Sequence, residues 1–110
     1  MIGVDIVKIS RIELNDLFIN RILTTDEKEA LLTRKSVESR REFVAGRFAA
    51  KEALFKATGN AGYLHYSVLN DETGKPYVKN HPEIEISLSH DGGLAIAMVY
   101  VRKEEELSSD

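Results

Sequence analysis

GRFAAKEALFK, residues Gly46 to Lys56, is the stretch whose reading decides the fold. It sits inside a helical pattern from about Val37 to Ala57 that Gly59 closes as a C-terminal cap. At about 100° per residue, Phe43, Arg47, Ala50, Leu54 and Ala57 share one stripe, and Val44, Phe48, Lys51 and Phe55 a second. Ala45, Ala49, Glu52 and Lys56 lie on the far side. Little of this surface is conventionally polar. The helix is therefore expected to pack on more than one side, with another subunit as a candidate for the extra partner.

Upstream, the run IGVDIV (residues 2–7) alternates, with Ile2, Val4 and Ile6 on one face and Gly3, Asp5 and Val7 on the other. This predicts a strand with one apolar face. Ser10 and Glu13 have the spacing of a capping box, which predicts a helix that buries Ile12, Leu14, Leu17 and Phe18. Thr24 and Glu27 repeat the signal and open a second, short helix ending near Leu32.

The second half reads as strands. Residues 66–69 and 76–78 flank a turn at 70–75, as in a hairpin, and Ile84, Ile86 and Leu88 alternate with polar residues. Asp91-Gly-Gly93 turns into Leu94 to Val101, apolar at nearly every position and expected to be central and covered on both faces. The expected architecture is α+β, one domain over residues 1–110. It begins with a strand and helices, including the long one, packed on a mostly antiparallel sheet. The tail from about 103 to 110 is expected to fray.

Composition narrows the function classes. The chain has 110 residues, 43% of them hydrophobic, which suits one modest core. There is no cysteine, so disulfides and thiolate metal sites are excluded. The net charge of −3 leaves no global basic surface, so nucleic acid is not an expected partner. No stretch has the length or apolarity of a membrane span or signal sequence, and a cytoplasmic location is expected. Local basic patches, such as Lys8 with Arg11, remain available for an acidic partner.

Taken singly, the polar residues of the two motifs read as ordinary structure. Asp5 alone suits an edge-strand salt link, and Glu52 an exposed helix residue bridged to Lys56 in the favourable i, i+4 order. Together, a strand aspartate and a helix glutamate supply two hard oxygen ligands. Magnesium is typically held by one or two carboxylates, with water and phosphate completing its octahedron. Lys51 and Lys56 are available for phosphate charge. Ser89 and His90, adjacent on a strand, point to opposite faces, so they are not a nucleophile and its base. No Walker loop or dinucleotide glycine fingerprint is present, so metal and lysine would have to handle phosphate.

The ordered set IGVDIV, GRFAAKEALFKA, GKPY and ISLSH resembles the holo-acyl-carrier-protein synthases, the short bacterial type of 4′-phosphopantetheinyl transferase. The resemblance spans residues 2 to about 101. It implies transfer of the 4′-phosphopantetheine arm of coenzyme A to a serine of apo-acyl carrier protein, for fatty acid biosynthesis. Magnesium would be required and adenosine 3′,5′-bisphosphate released.

By motif position, the resemblance makes Asp5 and Glu52 the metal ligands, with Lys56 and Glu52 catalytic. It assigns Arg47, Lys51, Gly74, Lys75, Pro76, Ser89 and His90 to coenzyme A, and Arg11 to the carrier protein. It also implies a homotrimer with active sites between subunits. Residues 59–65 depart from the usual family loop, being shorter and less glycine-patterned. Lys56 is expected to act by charge and orientation, since Glu52 one turn away favours its ammonium form. The base is then a water held by a carboxylate or the metal. The competing readings are a non-catalytic carrier-protein or nucleotide-binding module of the same fold, and a magnesium-dependent pyrophosphate hydrolase.

Overall fold

The computed structural model describes residues 1–60 and 62–103; the expected frayed tail lies, from residue 104 on, outside the described residues. Strand β1 (Ile2–Lys8) runs through a 3-10 turn (Ile9–Arg11) to α1 (Asp16–Ile22), α2 (Thr25–Leu32) and the long α3 (Val37–Thr58). A second 3-10 turn (Tyr63–His65) leads to β2 (Val68–Asn70), β3 (Pro76–Val78), β4 (Ile84–Asp91) and β5 (Leu94–Val101). The fold is α+β, as expected. β1, β5 and β4 form an antiparallel sheet in that order, with β5 central, and β2 and β3 form a separate hairpin. Gly92 and Gly93, both at positive φ, make the tight turn between β4 and β5.

The caps explain where the helices begin. Thr24 accepts from the Glu27 amide while Glu27 returns a bond to the Thr24 amide, a complete capping box. Ser10 does not do this. Asn15 instead caps α1 by accepting from the Phe18 amide at 2.8 Å. The chain first spends Ile9–Arg11 in a turn tied to the Gly93 carbonyl through the Ile9 amide, which leaves no room for a helix from Ser10. Ile12 is buried as expected, but Leu17 points outward and is 84% exposed. Ile19 and Ile22 take the core positions of α1 instead.

α3 packs against its own chain on three sides. The sheet covers one side, α1 and α2 a second, and Arg47 reaches the β2–β3 hairpin on a third. Most of its apolar breadth is thus used within one subunit, with Phe55 left 42% exposed. The subunit contact suggested by that breadth is not needed to explain the helix.

The sheet fixes the orientation of β1 and reverses one further expectation, for β5. In β1 the inward residues are Gly3, Asp5 and Val7, while Ile2, Val4 and Ile6 are 69%, 53% and 57% exposed. Gly3 decides this orientation. A Cβ there would lie 1.9 Å from the Ala53 carbonyl oxygen, so β1 can lie against α3 only with its glycine face inward. β5 is central but covered on one face only. Ala95, Ala97 and Val99 are buried, whereas Ile96 and Met98 stand on the open face across from Ile6 and Val4.

Between the helices lies a buried ion pair. Glu27, fully buried, accepts from Lys51 Nζ at 2.8 Å and from the Val68 amide at 2.8 Å. Lys51 also donates to the carbonyls of Ile22 and Tyr63. Taking two charges out of water is costly, and these bonds offset that cost by satisfying every proton of the ammonium. Burial pushes the Lys51 pKa below the ordinary lysine value, and Glu27 opposes the shift.

Candidate active site

β1 and α3 bring Asp5 and Glu52 to one cleft of about 470 Å³, which Lys8, Arg11, Phe18 and Phe48 also line. Asp5 comes from the inward face of an edge strand, and Glu52 from the helix that this strand crosses. Lys56 does not bridge to Glu52. Its ammonium donates to Asp5 Oδ1 at 2.9 Å and to the Val4 carbonyl at 3.0 Å. Glu52 accepts a 2.6 Å hydrogen bond from the Tyr63 hydroxyl, which raises the phenol pKa and keeps it a donor.

The donor set fits a hard divalent cation. Two carboxylates face a shared, water-accessible cleft, and among the described residues no group of three or more His, Cys, Asp or Glu side chains forms a complete metal cage. Such a pair leaves most of an octahedron to water and a phosphate-bearing substrate, the arrangement magnesium favours.

A second cleft, of about 390 Å³, opens on the other side of α3. Arg34, Arg47, Asn70, Gly74, Pro76, Ser89 and His90 are among its walls. Arg47 and Glu52 are five residues apart on the helix, a rotation of roughly 140°. Asp5 belongs to one edge strand of the sheet, and Ser89 and His90 to the opposite edge. Arg47 is itself buried, donating to the Val68 carbonyl at 3.0 Å and to Asn70 Oδ1, with its guanidinium 4.2 Å from the Phe43 ring centre. Burial pushes its pKa down to about 10, with Glu27 opposing, so it keeps its charge at neutral pH.

Asp71 shapes the hairpin beside this cleft. Its carboxylate accepts from the amides of Thr73 and Lys75 and from the Thr73 hydroxyl. Asn70 adds a bond to the Gly74 carbonyl. One short chain of contacts therefore links Arg47, Asn70 and Gly74.

The residues expected to form one site thus fall into two groups. Asp5, Glu52, Lys56 and Arg11 are together, and Arg47, Gly74, Pro76, Ser89 and His90 are together, but the groups do not meet within a chain. Lys51 is corrected to an interior residue. It is 3% exposed and its protons go to Glu27, Ile22 and Tyr63, leaving none for a phosphate. Lys75 faces a neighbouring groove with Tyr77 and His81 rather than lining the second cleft. The register places Ser89 opposite Ile96 and His90 opposite Ala95, on alternate faces as expected. Sequence reading missed Tyr63, Glu27 and Asn70. Only Glu27 carried a signal, and its capping spacing explained it too easily.

Residues 1–99 match the family model of the 4′-phosphopantetheinyl transferase superfamily. The holo-[acyl-carrier-protein] synthase of a Geobacillus strain is 41% identical over 93% of this chain and 95% of its own length. That of onion yellows phytoplasma is 36% identical over 98% of each. Among solved structures, the Bacillus anthracis holo-(acyl-carrier-protein) synthase in complex with CoA (3′,5′-ADP) superimposes with a TM-score of 0.81. It is 38% identical, covering 94% of this chain and 96% of the other. The Helicobacter pylori holo-[acyl-carrier-protein] synthase in complex with coenzyme A gives 0.75 at 30% identity, covering 92% and 99%.

Proposed function

This chain belongs to the 4′-phosphopantetheinyl transferase superfamily, among the holo-[acyl-carrier-protein] synthases, and we propose from that premise how it works. It transfers the 4′-phosphopantetheine group of coenzyme A to a serine of apo-acyl carrier protein, in the cytoplasm, for fatty acid biosynthesis. The observation that carries this reading is the Asp5–Lys56 pair and Glu52 around one cleft, with Arg11 at its side.

In the reaction, the serine oxygen forms a bond to the phosphorus carrying the pantetheine arm. The bond from that phosphorus to the bridging oxygen breaks, and adenosine 3′,5′-bisphosphate leaves with the electron pair. A bound magnesium would supply charge neutralisation across the pyrophosphate. Asp5 and Glu52 would hold it. Lys56, paired with Asp5 and with 51% of its side chain exposed, would stabilise charge on a phosphate bound beside it. A water held at the carboxylates takes the serine proton. Arg11, exposed at the cleft, docks the acidic surface around the acceptor serine.

The protein acts as a homotrimer with each site between two subunits. Two observations support assembly. The exposed face formed by Ile2, Val4, Ile6, Ile96 and Met98 is a contiguous apolar patch on neighbouring strands. The second cleft, with Arg34 and Arg47, is a separate half-site, suited to the nucleotide end of coenzyme A bound at a neighbour's Asp5 and Glu52. Val4 and Met98 face each other across β1 and β5. Val4→Glu with Met98→Glu is expected to give monomers by light scattering and to abolish turnover. A fully active monomer would contradict the shared site.

The reaction itself is tested by following adenosine 3′,5′-bisphosphate with and without apo carrier. Release that depends on the carrier supports transfer, and release without it indicates hydrolysis. Lys56→Ala is expected to lower turnover by about a hundredfold or more while coenzyme A affinity changes little. Loss of affinity instead would make Lys56 a ligand anchor.

A further inference from the structure

Tyr63 is clamped at both ends. Its carbonyl accepts from Lys51 Nζ at 2.7 Å, and Lys51 is itself fixed by Glu27 and the Ile22 carbonyl. Its ring lies 5.9 Å from Phe48, which lies 5.6 Å from Phe18. The backbone is thus held by a buried cation and the ring by an aromatic row. The hydroxyl is left pointing at Glu52 Oε1, 2.6 Å away.

That bond does something the helix alone would not. Glu52 and Lys56 have the spacing of an i, i+4 salt bridge, which would fold the glutamate back along the helix and cap its charge. Tyr63 holds Glu52 instead, and Lys56 turns to Asp5. The two carboxylates are kept apart from each other's partners, and Glu52, with its several rotatable bonds, has one oxygen pinned. Its remaining lone pairs are left for the cleft.

We propose that Tyr63 is a positioning residue that pre-orients Glu52 for a divalent cation and thereby sets the cation affinity of the site. The inference rests on the assignment of Asp5 and Glu52 as metal ligands. Hydrogen bonds that orient a ligating carboxylate typically change metal affinity or activity by about 10–100-fold when removed. Tyr63→Phe deletes only the hydroxyl and keeps the ring against Phe48, so it separates orientation from packing.

The test is Mn²⁺ binding to the full chain, read by electron paramagnetic resonance, for wild type, Tyr63→Phe and Asp5→Ala. The expected result for Tyr63→Phe is Mn²⁺ affinity weaker by about tenfold, with the melting temperature nearly unchanged. The magnesium concentration for half-maximal turnover should rise by a similar factor, and saturating magnesium should recover most of the rate. Unchanged or tighter Mn²⁺ binding by Tyr63→Phe would overturn the proposal. If Asp5→Ala weakens Mn²⁺ binding while Tyr63→Phe does not, only the role of Tyr63 fails. If neither weakens it, the carboxylate metal site fails with it.

Discussion

Asp5→Ala is expected to lower kcat/KM on the order of a hundredfold or more, and Glu52→Ala similarly. Each variant removes one of two carboxylates facing the cleft, so the divalent cation proposed to bind there would lose an anionic ligand. Asp5→Ala also leaves Lys56 with the Val4 carbonyl as its remaining partner. Glu52→Ala strands the Tyr63 hydroxyl. Excess magnesium is expected to restore part of the rate, because weakened binding can be offset by mass action. Stability should change little for Asp5→Ala. Its ion pair is with a half-exposed lysine, and such pairs contribute within about 1 kcal/mol. Rates near wild type in both variants, measured at limiting magnesium, would remove the metal assignment.

Gly3→Ala should have the largest effect on the fold. The added Cβ would sit 1.9 Å from the Ala53 carbonyl oxygen and 3.0 Å from the Ala57 amide nitrogen, both backbone atoms that cannot swing aside. β1 must then lift off α3 or α3 must bend. Overpacking of this kind costs about 1–3 kcal/mol or more, a large share of the few kcal/mol that hold a domain of this size together. A fall in melting temperature of roughly 10 °C is expected. Activity should fall too, because Asp5 is two residues along the displaced strand. Gly46→Ala is the natural control. The atom nearest its Cβ would be a Leu88 methyl at 4.0 Å, and an alanine inside α3 gains about 1 kcal/mol of helix propensity. Equal melting temperatures for the two variants would contradict the close β1–α3 contact. Thermal melts followed by circular dichroism decide it.

Strand β1 also shows what the chain discloses before it folds. The alternation in IGVDIV predicts a strand, and the strand is there, but period two assigns residues to two faces without saying which face meets the core. Ile2, Val4 and Ile6 form the more apolar face. The inward set is instead the one with the glycine, because α3 passes too close for any side chain at Gly3. Local caps were readable where the chain had space for them, as at Thr24 and Glu27. Ser10 and Glu13 share that spacing and fail, because the preceding turn is tied to Gly93, a contact more than 80 residues distant in sequence.

The same division holds at the site. Asp5 and Glu52 were legible as a pair because Asp5 is the one acid in the run IGVDIV and Glu52 the one acid in the stretch Gly46 to Lys56, and the structure brings them to one cleft. Lys51 looked like a phosphate ligand because nothing nearby in sequence marks its partner. Glu27, 24 positions earlier, buries it. That the residues assigned by resemblance to coenzyme A lie in a different cleft was implicit in the rotation between Arg47 and Glu52 around α3. It becomes evident only when Asp5 and His90 are seen on opposite edges of one sheet.

The most direct measurement is the intact mass of an apo-acyl carrier protein after incubation with this protein, coenzyme A and magnesium, beside a carrier whose acceptor serine is replaced by alanine. The predicted result is one added phosphopantetheine on the serine carrier and none on the alanine carrier. An unmodified serine carrier, whether or not coenzyme A is consumed, would contradict the account.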